Sequence, residues 1–248
     1  MDKKVAFLVD GGYFIRRVDF FNRKFFKDSK LAPNQIVSLM QHIVMRHQGD
    51  LKRDELYRIY FYDAPPFEGQ LREPVPHPDQ PGLRSRDFKK DERTIRQHEF
   101  HKQLGKTRKV ALRMGELAST KRWLLSDHAQ KDLLSGDKQV TDLQPEDFYL
   151  DLQQKGVDTR LGIDITTLSL NKLVDTIVLL ASDADFIPAA KLARTHGVDV
   201  MLDPLFGNVA KGLERHIDGK KSYDLVSKMS ELLGIDPHPI PDWWKKEQ

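Results

Sequence analysis

Two apolar runs constrain this 248-residue chain most: Val5-Ala6-Phe7-Leu8-Val9 and Ile177-Val178-Leu179-Leu180-Ala181. Neither alternates with polar residues. A strand that is apolar on both faces needs cover on both sides, as a central strand of a parallel sheet has. Further β-branched or aromatic runs lie at Tyr57–Tyr62, Val110–Met114 and Val198–Leu202, and the second apolar run extends over Thr176–Ala181. Most are separated by stretches long enough for helices, so the expected fold class is α/β, a doubly wound, Rossmann-like parallel sheet flanked by helices.

Three helices are expected from spacing. Asp183–Gly197 carries Phe186, Ile187, Ala190 and Ala193 at helical intervals and stops at Gly197. Pro33–Arg46 has one stripe of Ile36, Val37, Met40, Ile43 and Val44 with Pro33 in its first turn. Thr159–Lys172 puts Leu161, Ile165 and Leu168 on one face. Two stretches break the pattern: Asp63–Pro81 holds six of the thirteen prolines and reads as an extended excursion, and Ser119–Asp151 is polar with no clear strand. We therefore expect one domain over residues 1–218 with insertions at about 64–106 and 119–151, then a C-terminal helix and an irregular Pro/Trp tail over 219–248.

No apolar run reaches the roughly 18 to 20 residues of a bilayer span, and Met1-Asp2-Lys3-Lys4 leads into a run too short for a signal-peptide core. A cytoplasmic protein with no membrane partner is expected. The chain has no cysteine, which excludes disulfides, thiolate zinc sites and cysteine nucleophiles and leaves carboxylates and histidines as metal ligands. The nine histidines show no zinc spacing, and no P-loop or Gly-x-Gly-x-x-Gly is present. A net charge of +3 decides little, but residues 1–150 carry 28 basic against 22 acidic side chains and residues 151–248 carry 12 against 15. The N-terminal part is the candidate polyanion surface.

Ligands of an open α/β sheet gather beyond the carboxyl ends of its strands. Three runs end in acids: Asp10-Gly11-Gly12, Asp63, and Ser182-Asp183-Ala184-Asp185. If the first and fourth strands are neighbours, Asp10, Asp183 and Asp185 converge, and carboxylates that close repel one another unless a cation lies between them. Such hard oxygen donors suit Mg²⁺ or Mn²⁺. Plainer roles compete. Asp63, before Ala-Pro-Pro, reads as a turn residue, Asp185 as an acid in a first helical turn, and Asp158 as the N-cap of the helix that follows. Asp10 is harder to explain as structure, because apolar residues precede it and Gly11-Gly12 would let backbone approach a ligand. Asp164 borders the apolar face between Leu161 and Leu168, where a solvent-facing acid is not normally placed.

Four stretches together, Phe7-Leu8-Val9-Asp10-Gly11-Gly12-Tyr13, Phe61-Tyr62-Asp63-Ala64-Pro65-Pro66, Lys155-Gly156-Val157-Asp158 with Asp164, and Ala181-Ser182-Asp183-Ala184-Asp185-Phe186, carry a likeness. In order and spacing, over roughly residues 4–205, the chain resembles the NYN domain family, LabA-like bacterial branch, of the PIN-like nuclease superfamily. The resemblance implies a PIN-like sheet and a metal-dependent ribonuclease with Asp10, Asp158, Asp164, Asp183 and Asp185 as catalytic residues. Of these, Asp10, Asp158, Asp183 and Asp185 would hold Mg²⁺ or Mn²⁺. Water activated by the cation would attack the phosphodiester in line, leaving a 5′-phosphate and a 3′-hydroxyl. The chain departs from many members in having Tyr13 where they have Asn, which puts a polar contact at that position in doubt.

For the RNA, residues 84–113 offer eleven basic against four acidic side chains, and Arg86, Lys89, Lys90, Arg93 and Arg96 form a stripe if the stretch is helical. An ordinary solvated helix with Asp87, Asp91, Glu92 and Glu99 as partners fits the same residues. Over Tyr13–Lys30, Phe14, Phe20, Phe21, Phe25 and Phe26 interleave with Arg16, Arg17, Arg23, Lys24, Lys27 and Lys30, as a stacking platform or as core. Lys155 is the best single candidate for neutralising a phosphate beside the acids. Two other functions compete with the ribonuclease: a PIN-like module that binds RNA without cutting it, and a phosphotransfer site. The latter fits worse, since Gly12 stands where an aspartyl-phosphate site needs a second Asp. Whether copies of the chain associate is open at this stage.

Overall fold

The structure, a computed structural model, describes residues 3–51, 54–79 and 82–239. The Pro/Trp tail expected around Trp243-Trp244 lies outside the described residues. In chain order the strands are β1 (Lys4–Asp10), β2 (Glu55–Asp63), β3 (Gln70–Arg72), β4 (Ser85–Asp87), β5 (Val110–Met114), β6 (Glu116–Leu125), β7 (Phe148–Lys155), β8 (Thr176–Leu180), β9 (Asp199–Leu202) and β10 (Gly219–Lys220). The helices are α1 (Gly11–Phe25), α2 (Pro33–Asp50), α3 (Glu92–Lys106), α4 (Asp127–Ser135), α5 (Val157–Leu170), α6 (Ile187–Thr195) and α7 (Leu225–Leu233). Among the described residues, no helix is long and apolar enough to cross a membrane.

The chain divides into two compact units. The first comprises Met1–Asp63, Glu99–Gly115 and Gly156–Gln248. Its six strands form one parallel sheet in the order β10-β9-β8-β1-β2-β5. Val5–Val9 and all of β8 are buried, which is why their sequences run apolar without alternation. Phe7 and Val9 of β1 share one core with Phe14, Val18, Phe21 and Phe25 of α1 and with Ile36, Met40 and Ile43 of α2. In the pairing of β1 with its two neighbours, Val9 faces Leu180 and Asp10 faces Tyr62. The first and fourth strands of the sequence reading are therefore adjacent, and their carboxyl ends lie side by side.

The second unit comprises Ala64–His98 and Glu116–Lys155. Antiparallel pairs β3·β4 and β6·β7 build it, and β6·β7 corrects the reading of Ser119–Asp151 as strandless. A two-stranded ribbon keeps much of its surface in solvent, so it needs only a partial apolar face and looks polar in sequence. A small aromatic cluster centres the unit: Phe67 meets Phe88 edge-on at 5.1 Å, and Trp123 lies 5.9 Å from Phe88 while its indole N–H donates to the Arg72 carbonyl at 2.9 Å. The excursion Asp63–Pro81 is likewise interrupted by β3. The basic stretch from Arg86 to Arg96 is not one helix but the strand β4, a 3₁₀ turn over Phe88–Lys90, and then α3. The single stripe that a continuous helix would have made is absent there.

Candidate functional site

Asp10 ends β1 and caps α1, its Oδ1 accepting the Tyr13 N–H at 3.0 Å. Gly11 follows for a reason other than ligand access. A Cβ there would stand 2.5 Å from the Tyr62 carbonyl oxygen and 2.5 Å from Cε1 of Phe61, so the glycine lets α1 start against β2. Asp183 and Asp185 come just after β8, where Asp183 Oδ1 accepts the Asp185 N–H at 3.1 Å and caps a 3₁₀ turn over Ala184–Phe186. Asp158 lies in the first turn of α5, whose preceding residue, Gly156, has φ 74°. That left-handed conformation is one glycine adopts readily.

These acids interact electrostatically. Burial pushes the Asp10 carboxyl above the ordinary range, and Asp158 and Asp183 push the same way against the Tyr13 N–H and the Arg16 guanidinium. Burial likewise raises Asp158, helped by Asp183 and Asp185 and opposed by Arg16. Strand ends and helix starts thus put Asp158 and Asp183 where they act on Asp10, and Asp183 and Asp185 where they act on Asp158, with Arg16 as a cation acting on both. A carboxyl raised on folding is more protonated in the folded chain than in the unfolded one, so its stabilising contribution is present at low pH and is lost as pH rises through its folded value. We expect the chain without divalent cation to lose stability as pH rises above the ordinary carboxylate range, and less so in Asp10→Asn. Melting temperatures of both proteins across acidic to neutral pH test this, and parallel curves would show that Asp10 contributes nothing.

Asp164 has different partners. Tyr62 O–H donates to its Oδ2 at 2.9 Å, and Arg113 Nε, from β5, donates to the same oxygen at 2.9 Å. Arg113 also lies over the Tyr60 ring at 5.1 Å, while burial and the Asp164 charge push the Tyr62 phenol upward. The carboxylate is thereby compensated within the protein. Asp63, read from sequence as a turn residue, is instead the buried last residue of β2, hydrogen-bonded to His101 Nε2 at 2.8 Å. Tyr13 donates its O–H to the Pro204 carbonyl at 2.5 Å.

The expected nucleic-acid residues divide between the two units. Arg16 is exposed on α1, whereas Arg86, Lys89, Lys90, Arg93 and Lys155 all belong to the second unit. Arg86 pairs with Asp91 at 2.6 Å and Lys90 reaches Asp87 at 3.6 Å, while Arg93 and Lys155 are exposed. Arg113 and Tyr62 were not singled out from sequence. The available signal was Arg113 itself, a charge inside the apolar run of β5 that needs an acid nearby.

Hard oxygen donors that disfavour one another's charge are the chemistry of a divalent-cation site. Among the described residues, however, no three His, Cys, Asp or Glu side chains converge closely enough to share one ion. The donor set fits Mg²⁺ or Mn²⁺ in kind, and binding would have to draw the carboxylates inward.

The NYN domain matches this chain over residues 88–212, half of its length, a span that includes Asp158, Asp164, Asp183 and Asp185 and excludes Asp10. The chain belongs to the NYN domain family, a nuclease-type domain of the PIN-like superfamily. It is also similar to an uncharacterized protein of Methanocaldococcus jannaschii, 26% identical over 141 residues that make up 56% of this chain and 52% of that protein. The chain thus spans about half the length of this curated relative. No solved structure matches it.

Proposed function

We propose that the chain is an endoribonuclease dependent on Mg²⁺ or Mn²⁺, acting through Asp10, Asp158, Asp183 and Asp185. The observation that carries this reading is the push of Asp158 and Asp183 on the Asp10 carboxyl, and of Asp183 and Asp185 on Asp158, where β1, β8 and α5 meet, in a chain of a nuclease-type family. Bound there, the cation would supply activated water and neutralise charge on the phosphodiester. Asp10, Asp158, Asp183 and Asp185 would hold and orient the cation as carboxylates, its charge offsetting the burial and the neighbouring acids that push Asp10 and Asp158 upward. Arg16 counters their combined charge and gives the approaching phosphate a cation to meet. Asp164, held by Arg113 and Tyr62, ties the middle of α5 to β2 and β5.

Calorimetry of Mn²⁺ binding tests the site directly. Wild type should bind, and Asp183→Asn should bind at least about tenfold more weakly, because one charged ligand is lost. Equal affinity would remove Asp183 from the site. A second reading, RNA binding without cleavage, is favoured by the lack of three converging ligands among the described residues. Incubating labelled RNA with the protein and Mn²⁺ or EDTA separates the two, since only the nuclease gives EDTA-sensitive products.

A further inference from the structure

One flank of α1 carries Tyr13, Arg17, Phe20 and Lys24 at intervals of four, three and four residues, a helical stripe beside the buried face of Phe14, Val18, Phe21 and Phe25. The loop after β9 packs along this stripe. Tyr13 donates to the Pro204 carbonyl, and Arg17 Nε donates to the Leu205 carbonyl at 2.9 Å. In that loop Leu205 and Phe206 have φ of 46° and 57°. Two consecutive left-handed residues with side chains are unfavourable, and such backbone persists only where its surroundings determine it fully.

The surroundings here do so. Asp203, buried and bonded to His47 at 2.9 Å, accepts the Leu205 N–H at 2.8 Å and the Ser222 hydroxyl at 2.6 Å, and Ser222 Oγ in turn accepts the Phe206 N–H at 3.2 Å. The outcome of this arrangement is an exposed ring. Phe206 is 56% exposed and Phe20 38%, and both pack edge-on against Phe21, at 6.4 and 5.5 Å. Arg17 lies 4.5 Å from the centre of the Phe20 ring and Lys24 5.7 Å from it.

We propose that Phe206, Phe20 and Arg17 form a stacking platform for a base of single-stranded RNA, with Lys24 beside it for the backbone phosphate. Every base offers a π-face to aromatic rings, and neighbouring cations match the polymer's charge. The platform adjoins the candidate site: Arg16, next to Arg17, acts on Asp10 and Asp158, and Tyr13 to Phe20 is about 10 Å of helix, the span of a few nucleotides. The identity of the polymer rests on the ribonuclease reading. The alternative occupant is a second copy of the chain.

The test is anisotropy of a labelled oligoadenylate with the whole protein in EDTA, comparing wild type, Phe20→Ala and Phe206→Gly. Glycine suits the left-handed backbone, so Phe206→Gly should melt at or above the wild-type temperature and yet bind about five- to hundredfold more weakly. An oligomer with abasic positions should bind all three proteins alike. Unchanged affinity for oligoadenylate, or equal losses with the abasic oligomer, would overturn the platform. So would a wild-type dimer that Phe206→Gly converts to monomer. If wild type cuts RNA with Mn²⁺ and Phe206→Gly binds as wild type does, the platform alone falls; if nothing is cut but binding depends on Phe206, the platform stands and the nuclease reading falls.

Discussion

Asp10→Asn is expected to slow RNA cleavage by about two to three orders of magnitude while leaving the fold intact. The loss corresponds to about 3 to 4 kcal/mol of transition-state stabilisation, the scale on which a metal ion contributes charge neutralisation. The fold should survive because asparagine keeps an oxygen for the Tyr13 N–H and the same shape at the end of β1. It also removes a charge that burial and the neighbouring Asp158 and Asp183 disfavour, so the melting temperature should hold or rise. RNA affinity in EDTA should stay level or improve slightly as repulsion falls. Single-turnover cleavage of labelled RNA with Mn²⁺, run beside a thermal melt, decides the matter. A variant that cuts as fast as wild type would sink the nuclease reading.

Gly11→Ala should cost about 3 kcal/mol, lowering the melting temperature by about 10 °C. The added methyl would meet the Tyr62 carbonyl, which is backbone in a central strand, and the Phe61 ring, itself packed edge-on against Phe14 at 6.2 Å and Phe100 at 5.4 Å. None of these neighbours has room to move. Thermal and urea unfolding provide the measurement, and a midpoint within a degree of wild type would mean that α1 can shift away from β2 at little cost.

The sheet was legible because burial on both faces writes itself into sequence. Val110–Met114 has the bounds read from the sequence, and the first and fourth strands are neighbours, the condition on which the expected convergence of Asp10 and Asp183 depends. What stayed hidden depends on partners distant in sequence or on weak patterning. Helix α1 is masked in the sequence, although Phe14, Val18, Phe21 and Phe25 follow its period, because Asp10-Gly11-Gly12 has the composition of a turn and cations interleave with the phenylalanines. Of those phenylalanines, Phe14, Phe21, Phe25 and Phe26 proved to be core, and Phe20 is exposed. The ribbon β6·β7 was missed for its polar composition, and the engagement of Asp164 by Arg113 joins residues 51 apart, a contact no local pattern announces.

The pairing of β1 with β8 fixes when the parallel sheet can be completed during synthesis. Lys4 N–H bonds the Asp175 carboxylate at 2.8 Å across 171 residues of chain, and Asp183 and Asp185 emerge later still. Until then β1 has only β2 beside it, and of the acids that act on Asp10 only Asp158 has been made. Closing so long a loop delays folding far more than it weakens the folded state. A ribosome-bound fragment ending before β8 therefore carries two acids of the four, Asp10 and Asp158, and on the ribonuclease reading the messenger being translated meets no completed site until most of the chain has been made.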